Sequence, residues 1–187
     1  PGTFDALKRM PSLTAVELNA RQAGDDLLAR LSELKGLTGV TLWYVGRDVP
    51  VTSRGWAGLA DLPLERLDLR SSTPFTAASR PAFARMPKLR VVRIVSQRAP
   101  ADVTAELAAC PELTSLEISF GGTADADVEP LARSRSLRSL QLVGSKVTEA
   151  GALKLAAALP ACRIEWGPKE SPKVIEPTAG PPPPPDP

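Results

Sequence analysis

The sequence predicts an α/β solenoid, a curved stack with parallel strands on the concave face and helices on the convex face. Three observations predict it. A pattern L-x-x-L-x-L, with Val or Ile allowed, occurs six times and then once in degenerate form, with first positions at 13, 37, 64, 89, 113, 137 and 161. These are separated by 24, 27, 25, 24, 24 and 24 residues, a regularity that leucines scattered through an ordinary core would not produce. Each copy closes in period-2 alternation and the residues between copies carry helical spacing, so one strand and one helical segment make one unit.

The strand half of each unit comes first. The copies are Leu13, Val16, Leu18; Leu37, Val40, Leu42; Leu64, Leu67, Leu69; Leu89, Val92, Ile94; Leu113, Leu116, Ile118; and Leu137, Leu140, Leu142, followed by Ala161, Ile164, Trp166. Alternations such as Val16-Glu17-Leu18 and Leu116-Glu117-Ile118 fit short strands with one buried face. The helical half follows: Leu27, Leu31 and Leu34 lie at i, i+4 and i+7, and Val103, Leu107 and Cys110 repeat that spacing. Trp56 with Leu59, Phe83 with Met86, and Val128 with Leu131 are paired at i+3. The return to the strand also recurs, as Met10-Pro11-Ser12-Leu13, Met86-Pro87-Lys88-Leu89, Cys110-Pro111-Glu112-Leu113 and Leu159-Pro160-Ala161. Proline there stops the helix and favours an extended exit.

Phe4, Leu7 and Met10 fit the helical half of an earlier unit, so 1–12 is expected to be a helical remnant or cap, with further repeats or a cap upstream of Pro1. The repeat domain spans 13–166, with Trp166 placed to cover the last core layer. From Gly167 the composition turns proline-rich, through Pro168, Pro172, Pro177, Pro181 to Pro185 and Pro187, and 167–187 is expected to be a disordered tail or linker. Docking of that run in an SH3-like groove is the less favoured reading, since no basic residue stands beside it. Val49-Pro50-Val51 lengthens the second unit, and its loop is expected to protrude.

The last unit runs Leu137-Arg138-Ser139-Leu140-Gln141-Leu142-Val143-Gly144-Ser145-Lys146-Val147-Thr148-Glu149-Ala150-Gly151 and closes with Leu159-Pro160-Ala161-Cys162-Arg163-Ile164-Glu165-Trp166. These stretches resemble the L-x-x-L-x-L-x-G-T-x-V-T-D-A-G and L-P-x-C-x-I-x-W segments of bacterial leucine-rich repeat proteins with short repeats. The resemblance covers about Phe4 to Trp166 and implies a horseshoe solenoid that binds partners on its strand face. It also implies that the array can accompany kinase or other catalytic domains in a longer chain. The turn Asn of many such repeats is missing, its positions being held by Arg21, Val45, Ser72, Gln97, Gly121 and Ser145. Ser or Thr hydroxyls are expected to bond those turns instead.

Composition narrows the chemistry. With no histidine among 187 residues, imidazole-based nucleophilic pairs and His-ligated zinc are excluded. Only Cys110 and Cys162 are present, so neither a four-Cys metal site nor a disulfide framework can form. Both cysteines fall at repeat core positions, about 10 Å apart by strand spacing, and are expected as free buried thiols. Two free thiols lean towards a reducing compartment such as the cytoplasm without assigning a location. No apolar run approaches bilayer length, so no membrane insertion is expected. A net charge of +2 and 4% aromatic residues argue against a polyanion-binding or base-stacking surface. Asp25-Asp26 and Asp125 with Asp127 begin helices, where carboxylates cap backbone N–H groups and complement the dipole. Gly121-Gly122-Thr123 lacks the Lys and spacing of a phosphate-binding loop. No catalytic residue, metal or cofactor is assigned.

Function is therefore expected on the strand face. If the pattern leucines point inward, the residue between the second and third points out, giving Glu17, Thr41, Asp68, Arg93, Glu117, Gln141 and Glu165. The flanking outward rows contain Asn19, Trp43, Arg70, Val95, Ser119 and Val143, and Arg66, Val91, Ser115 and Ser139. The candidate partner-binding residues are Trp43, Tyr44, Arg66, Asp68, Arg70, Arg93, Val95, Glu117 and Phe120, because aromatic and Arg side chains anchor protein interfaces. The expected function is a non-catalytic module, expected as a monomer, that binds a protein or peptide. Two alternatives stay open: nucleic-acid binding through the strand-face arginines, weakened by interleaved Asp68, Glu65 and Glu117, and a rigid spacer in a larger protein.

Overall fold

Every copy of the repeated pattern ends in a strand, and the strands stack in sequence order. The computed structural model describes residues 6–10, 12–21, 24–45, 48–71, 80–95 and 99–180. Within these lie β1 (Ala15–Asn19), β2 (Gly39–Val45), β3 (Arg66–Ser71), β4 (Val91–Val95), β5 (Ser115–Ser119), β6 (Ser139–Val143), β7 (Arg163–Gly167) and β8 (Lys173–Ile175). They form one sheet in the order β1 to β8, parallel from β1 to β7, with β8 antiparallel to β7. The register follows the pattern: Val16, Val40, Leu67, Val92, Leu116, Leu140 and Ile164 are successive partners across the sheet. From β2 to β7 this row is buried, which puts the core along the inner face of the ladder.

Helices run between the strands. They are α1 (Asp25–Leu31), α2 (Ser53–Leu59), α3 (Ala101–Ala108), α4 (Asp125–Val128) and α5 (Glu149–Ala158), with 3-10 segments at Phe83–Arg85 and Glu129–Arg133. The third and fifth units thus contain tighter turns where helical spacing was read. Phe83, Met86, Val128 and Leu131 still reach the core, because a 3-10 turn also brings i and i+3 onto one face. The inward residues of α1 are Leu28 and Leu31, continued by Leu34 in the turn after it, whereas Leu27, the residue expected there, is only partly buried. The returns close through i to i+3 bonds: the Leu37 amide donates to the Leu34 carbonyl at 3.0 Å, and Leu89 to Met86 at 3.2 Å. Ser145 serves the turn as a hydroxyl should, donating to the Leu142 carbonyl at 2.6 Å and accepting from the Val147 amide at 3.3 Å. Phe4, Pro11, Ser72, Gln97, Pro181 to Pro185 and Pro187, all used in the sequence reading, lie outside the described residues.

Two expectations change. The segment from Gly167, read as a disordered tail, supplies β8, and the Thr178 and Ala179 amides both donate to the Pro160 carbonyl at 2.9 Å. The physical cause is Lys173-Val174-Ile175, a short strand-forming run amid prolines that pairs with the open edge of β7 while Ile175 packs on the core. Lys173 lays its ammonium 4.7 Å from the Trp166 ring centroid, over the residue expected to close the last layer. The extended second-unit loop is also anchored rather than simply protruding. Val51 is buried although Val49 is exposed, and Asp48 pairs with Arg21 at 2.8 Å.

The acidic helix starts prove to be inter-unit clasps. α1 has no side-chain cap at Gly24; the Asp25 carboxylate instead accepts from the amide and hydroxyl of Thr52, at 2.8 and 2.7 Å. Thr52 is the N-cap of α2 in the following unit. Asp125 does the same to Thr148, the N-cap of α5, at 2.8 and 2.6 Å. Asp127 behaves as read, accepting from the Ala124 amide at the start of its own helix at 3.0 Å. In both clasps a glycine, Gly55 or Gly151, stands where a Cβ would overlap the carboxylate. Thr, Gly and the preceding unit's Asp are therefore one device.

Gly151→Ala is expected to break the second clasp and cost about 1–2 kcal/mol in urea unfolding, with Asp125→Ala costing a similar amount. The double variant should cost much less than the two together, because both remove the same contacts. For the first clasp, partial burial raises the Asp25 pKa, but the Thr52 hydroxyl and amide and the Arg54 charge outweigh it and set the carboxyl below its ordinary 3.8. A carboxylate with a depressed folded pKa stabilises above its unfolded pKa and loses that contribution as pH falls through the folded one. Unfolding curves at about pH 7 and about pH 3 should show a smaller acid loss for Asp25→Asn than for the unaltered protein.

Candidate interaction surface

The outward row between the pattern residues is aligned across the ladder: Glu17, Thr41, Asp68, Arg93, Glu117, Gln141 and Glu165 are successive strand partners. Beside it, Asn19, Trp43, Arg70, Val95 and Ser119 form a second row. Neighbouring strands lie about 4.8 Å apart, so adjacent members of a row touch.

Asp68 organises the centre. It is 8% exposed, and a buried carboxylate must be paired. Arg70 approaches both its oxygens, Nε to Oδ1 and Nη2 to Oδ2, each at 3.3 Å. Arg93 reaches Asp68 at 3.6 Å and Glu117 at 2.5 Å, and the Ser119 hydroxyl donates to the second Glu117 oxygen at 2.9 Å. Two arginines thus neutralise two carboxylates across three strands. At its other end Arg70 lies 4.0 Å from the Trp43 ring centroid, and the Trp43 indole N–H donates to Glu17 at 2.6 Å. Val95 continues the row after Arg70, half-buried. Arg66 heads the third row beside Val91 and stands exposed. Between β3 and β6 the face carries a cavity of about 220 Å³ whose walls include Arg66, Asp68, Arg93, Glu117 and Gln141.

Tyr44 and Phe120 occupy one repeat slot, two residues past the last pattern position, where the final unit has Gly144. All three have left-handed backbones, with φ of 59°, 57° and 72°. That conformation is routine for glycine but costs a residue with a Cβ about 1–2 kcal/mol. Both aromatic residues are nonetheless 42% exposed, so full burial does not offset the cost. Tyr44 is the extra residue of a bulge, since Trp43 pairs with Arg70 and Val45 with Ser71. Its ring lies 6.4 Å from that of Trp43. Phe120 covers Gly144, where an added Cβ would come within 2.9 Å of the ring, and Lys169 stands 5.3 Å from its centroid.

Of the candidate residues, Trp43, Arg70, Asp68, Arg93 and Glu117 form one connected cluster, with Tyr44 and Val95 beside it. Phe120 belongs to a separate patch at the end of β5 with Gly144 and Lys169. The sequence grid contained Glu17 and Ser119 but gave no reason to select them: Glu17 lies diagonally across from Trp43, and Ser119 two residues along the same strand from Glu117. Lys169 escaped notice because it follows the last repeat. Among the described residues, no three or more Cys, Asp or Glu side chains are grouped to hold a metal ion, and no helix is long and apolar enough to cross a membrane.

No protein-family model matches the chain, and no curated protein matches it. Among solved structures, it is similar to internalin C2 (inlC2) from Listeria monocytogenes str. 4b F2365, at 24% identity and a TM-score of 0.61 over 84% of this chain. The fold is a leucine-rich-repeat solenoid. The internalin likeness extends to the path of the backbone, and the chain spans 62% of that internalin's length.

Both cysteines of the solenoid are buried free thiols. Burial pushes Cys110 up to about 11, with the Glu106 charge adding to the shift, and pushes Cys162 up to about 11 against the opposing charge of Arg138. A thiol held neutral reacts slowly. Ellman's reagent near neutral pH is expected to find almost no reactive thiol in the native protein and both thiols after denaturation without reductant. Rapid native reaction would contradict this burial.

Proposed function

We propose that this solenoid is a non-catalytic binding module that holds a protein or peptide partner on its strand face, centred on Trp43, Tyr44 and Arg70. The observation that carries the reading is Tyr44, an aromatic side chain kept at a left-handed position and 42% exposed beside Trp43 and Arg70. Two aromatic rings and a stacked guanidinium are the side chains from which interface anchors are built. Their mutual contacts limit the side-chain freedom lost on binding. Arg93, Asp68 and Glu117 supply a charge-balanced polar surround that fixes register more than it adds affinity.

The same balance argues against nucleic acid on this face. Of the strand-layer arginines Arg66, Arg70, Arg90, Arg93 and Arg138, three, Arg70, Arg90 and Arg93, already face carboxylates, which interrupts a track for a phosphate backbone. The Trp43 indole edge is likewise engaged with Glu17. Catalysis is not part of the proposal, because the carboxylates of the face are committed to ion pairs and hydrogen bonds.

The test is affinity capture from nuclease-treated lysate, followed by affinity measurement with whichever protein is captured. Trp43→Ala and Tyr44→Ala are each expected to weaken that complex about tenfold or more, as central anchors do. Leu153→Ala, on α5 and 55% exposed, should leave it unchanged. Equal capture by all four proteins would remove the strand face as the binding surface.

A further inference from the structure

On the strand face Arg70 and Arg93 each meet a carboxylate, and at the β7 edge Arg163 meets Glu165 at 3.0 Å and Glu176 at 3.5 Å. The turns that lead into β5 and β6 are different. They border an open cleft of about 680 Å³ lined by Arg133, Arg135 and Arg138, with Ala109 and Pro111 among its apolar surfaces. Arg133 and Arg135 are exposed and have no carboxylate partner among the described residues. Arg138 is half-buried, and its Nη1 donates to the carbonyls of Arg135 and Leu137 at 3.3 and 2.8 Å. These bonds orient the guanidinium without neutralising it. The one acid of the cleft, Glu112, is turned to Arg90 at 3.0 Å.

Three uncompensated guanidinium groups around one cleft repel each other and raise the local potential, an arrangement that an oxyanion relieves. Guanidinium forks match both carboxylate and phosphoryl oxygens. The cleft is larger than a lone ion requires, and its alanine and proline surfaces suit the body of a peptide. It contains no aromatic side chain on which a base could stack, and Glu112 interrupts any continuous phosphate track. We propose that this rim cleft is a second binding site, separate from the strand face, for an acidic peptide segment whose carboxylate or phosphoryl group is taken by Arg133, Arg135 and Arg138.

The test uses the full chain and fluorescence anisotropy with three fluorescein-labelled peptides of one sequence: a Glu-rich peptide, its phosphoserine counterpart and its Gln counterpart. The Glu or phosphoserine peptide, or both, should bind saturably while the Gln peptide does not, and the tighter of the two identifies the source of the oxyanion. Arg133→Ala with Arg135→Ala should weaken binding about tenfold or more, and the matching Lys pair should fall between, keeping charge but losing the fork. Trp43→Ala should change nothing, so failure here and failure of the strand-face reading are separately visible. Circular dichroism melts of the exposed-site variants should match the unaltered protein. Equal binding of the Gln peptide, unchanged affinity in the double Ala variant, no saturation by about millimolar peptide, or binding only of a single-stranded oligonucleotide would each overturn the proposal.

Discussion

The rest of the structure depends on the closure of each unit's apolar face by the next. A single strand and helical segment cannot bury Leu64, Leu67 and Leu69 alone; neighbours in register on both sides can. That demand sets the repeat period, because the returning chain must place its next leucine directly beside the last. It also favours an abrupt exit from the strand, and left-handed positions stand near the end of β2 and just after β5 and β6. The Asp25–Thr52 and Asp125–Thr148 clasps then tie helix start to helix start on the opposite layer. Strand ladder and clasp together determine how adjacent units are oriented.

The same constraint explains the difference between the two edges of the sheet. Among the described residues β1 has one strand neighbour, and its pattern residues Val16 and Leu18 are only partly buried, unlike their fully buried partners Val40 and Leu42. At β7, β8 adds an antiparallel strand and Lys173 covers Trp166, which is 7% exposed. β8 is itself a new edge, but it is three residues long and flanked by Pro172 and Pro177. Short, proline-bounded edges offer little template for further pairing.

The repeat was legible because its cause is periodic: burial selects Leu, Val or Ile at fixed spacing, and spacing survives in a sequence. The outward rows followed from alternation alone, so Asp68 beside Arg93 and Trp43 beside Arg70 were placed before any contact was known. Contacts along diagonals were not legible. The bond from Trp43 to Glu17 depends on side-chain rotation, and the Asp25 reach to Thr52 crosses between units. β8 was missed because local composition, rich in proline, concealed a three-residue run whose pairing depends on an edge supplied by β7. The strain at Tyr44 and Phe120 needed backbone angles, although Gly144 in the aligned slot was a readable sign that the slot favours glycine.

Electrostatics divides the molecule more sharply than its net charge of +2 suggests. Asp68 is nearly buried on the strand face, and the desolvated carboxylate draws Arg70 and Arg93 into fixed places; that pairing costs the arginines freedom but leaves the face neutral and shaped. At the rim no buried acid makes the same demand, so Arg133 and Arg135 keep their charge available to solvent or to a ligand. Arginine count alone would treat the two regions alike. The carboxylate beneath an arginine, set by which residue falls between the second and third pattern positions, decides whether that guanidinium is held in a fixed place, as Arg70 is beside Trp43, or carries an unpaired charge among the described residues, as Arg133 and Arg135 do.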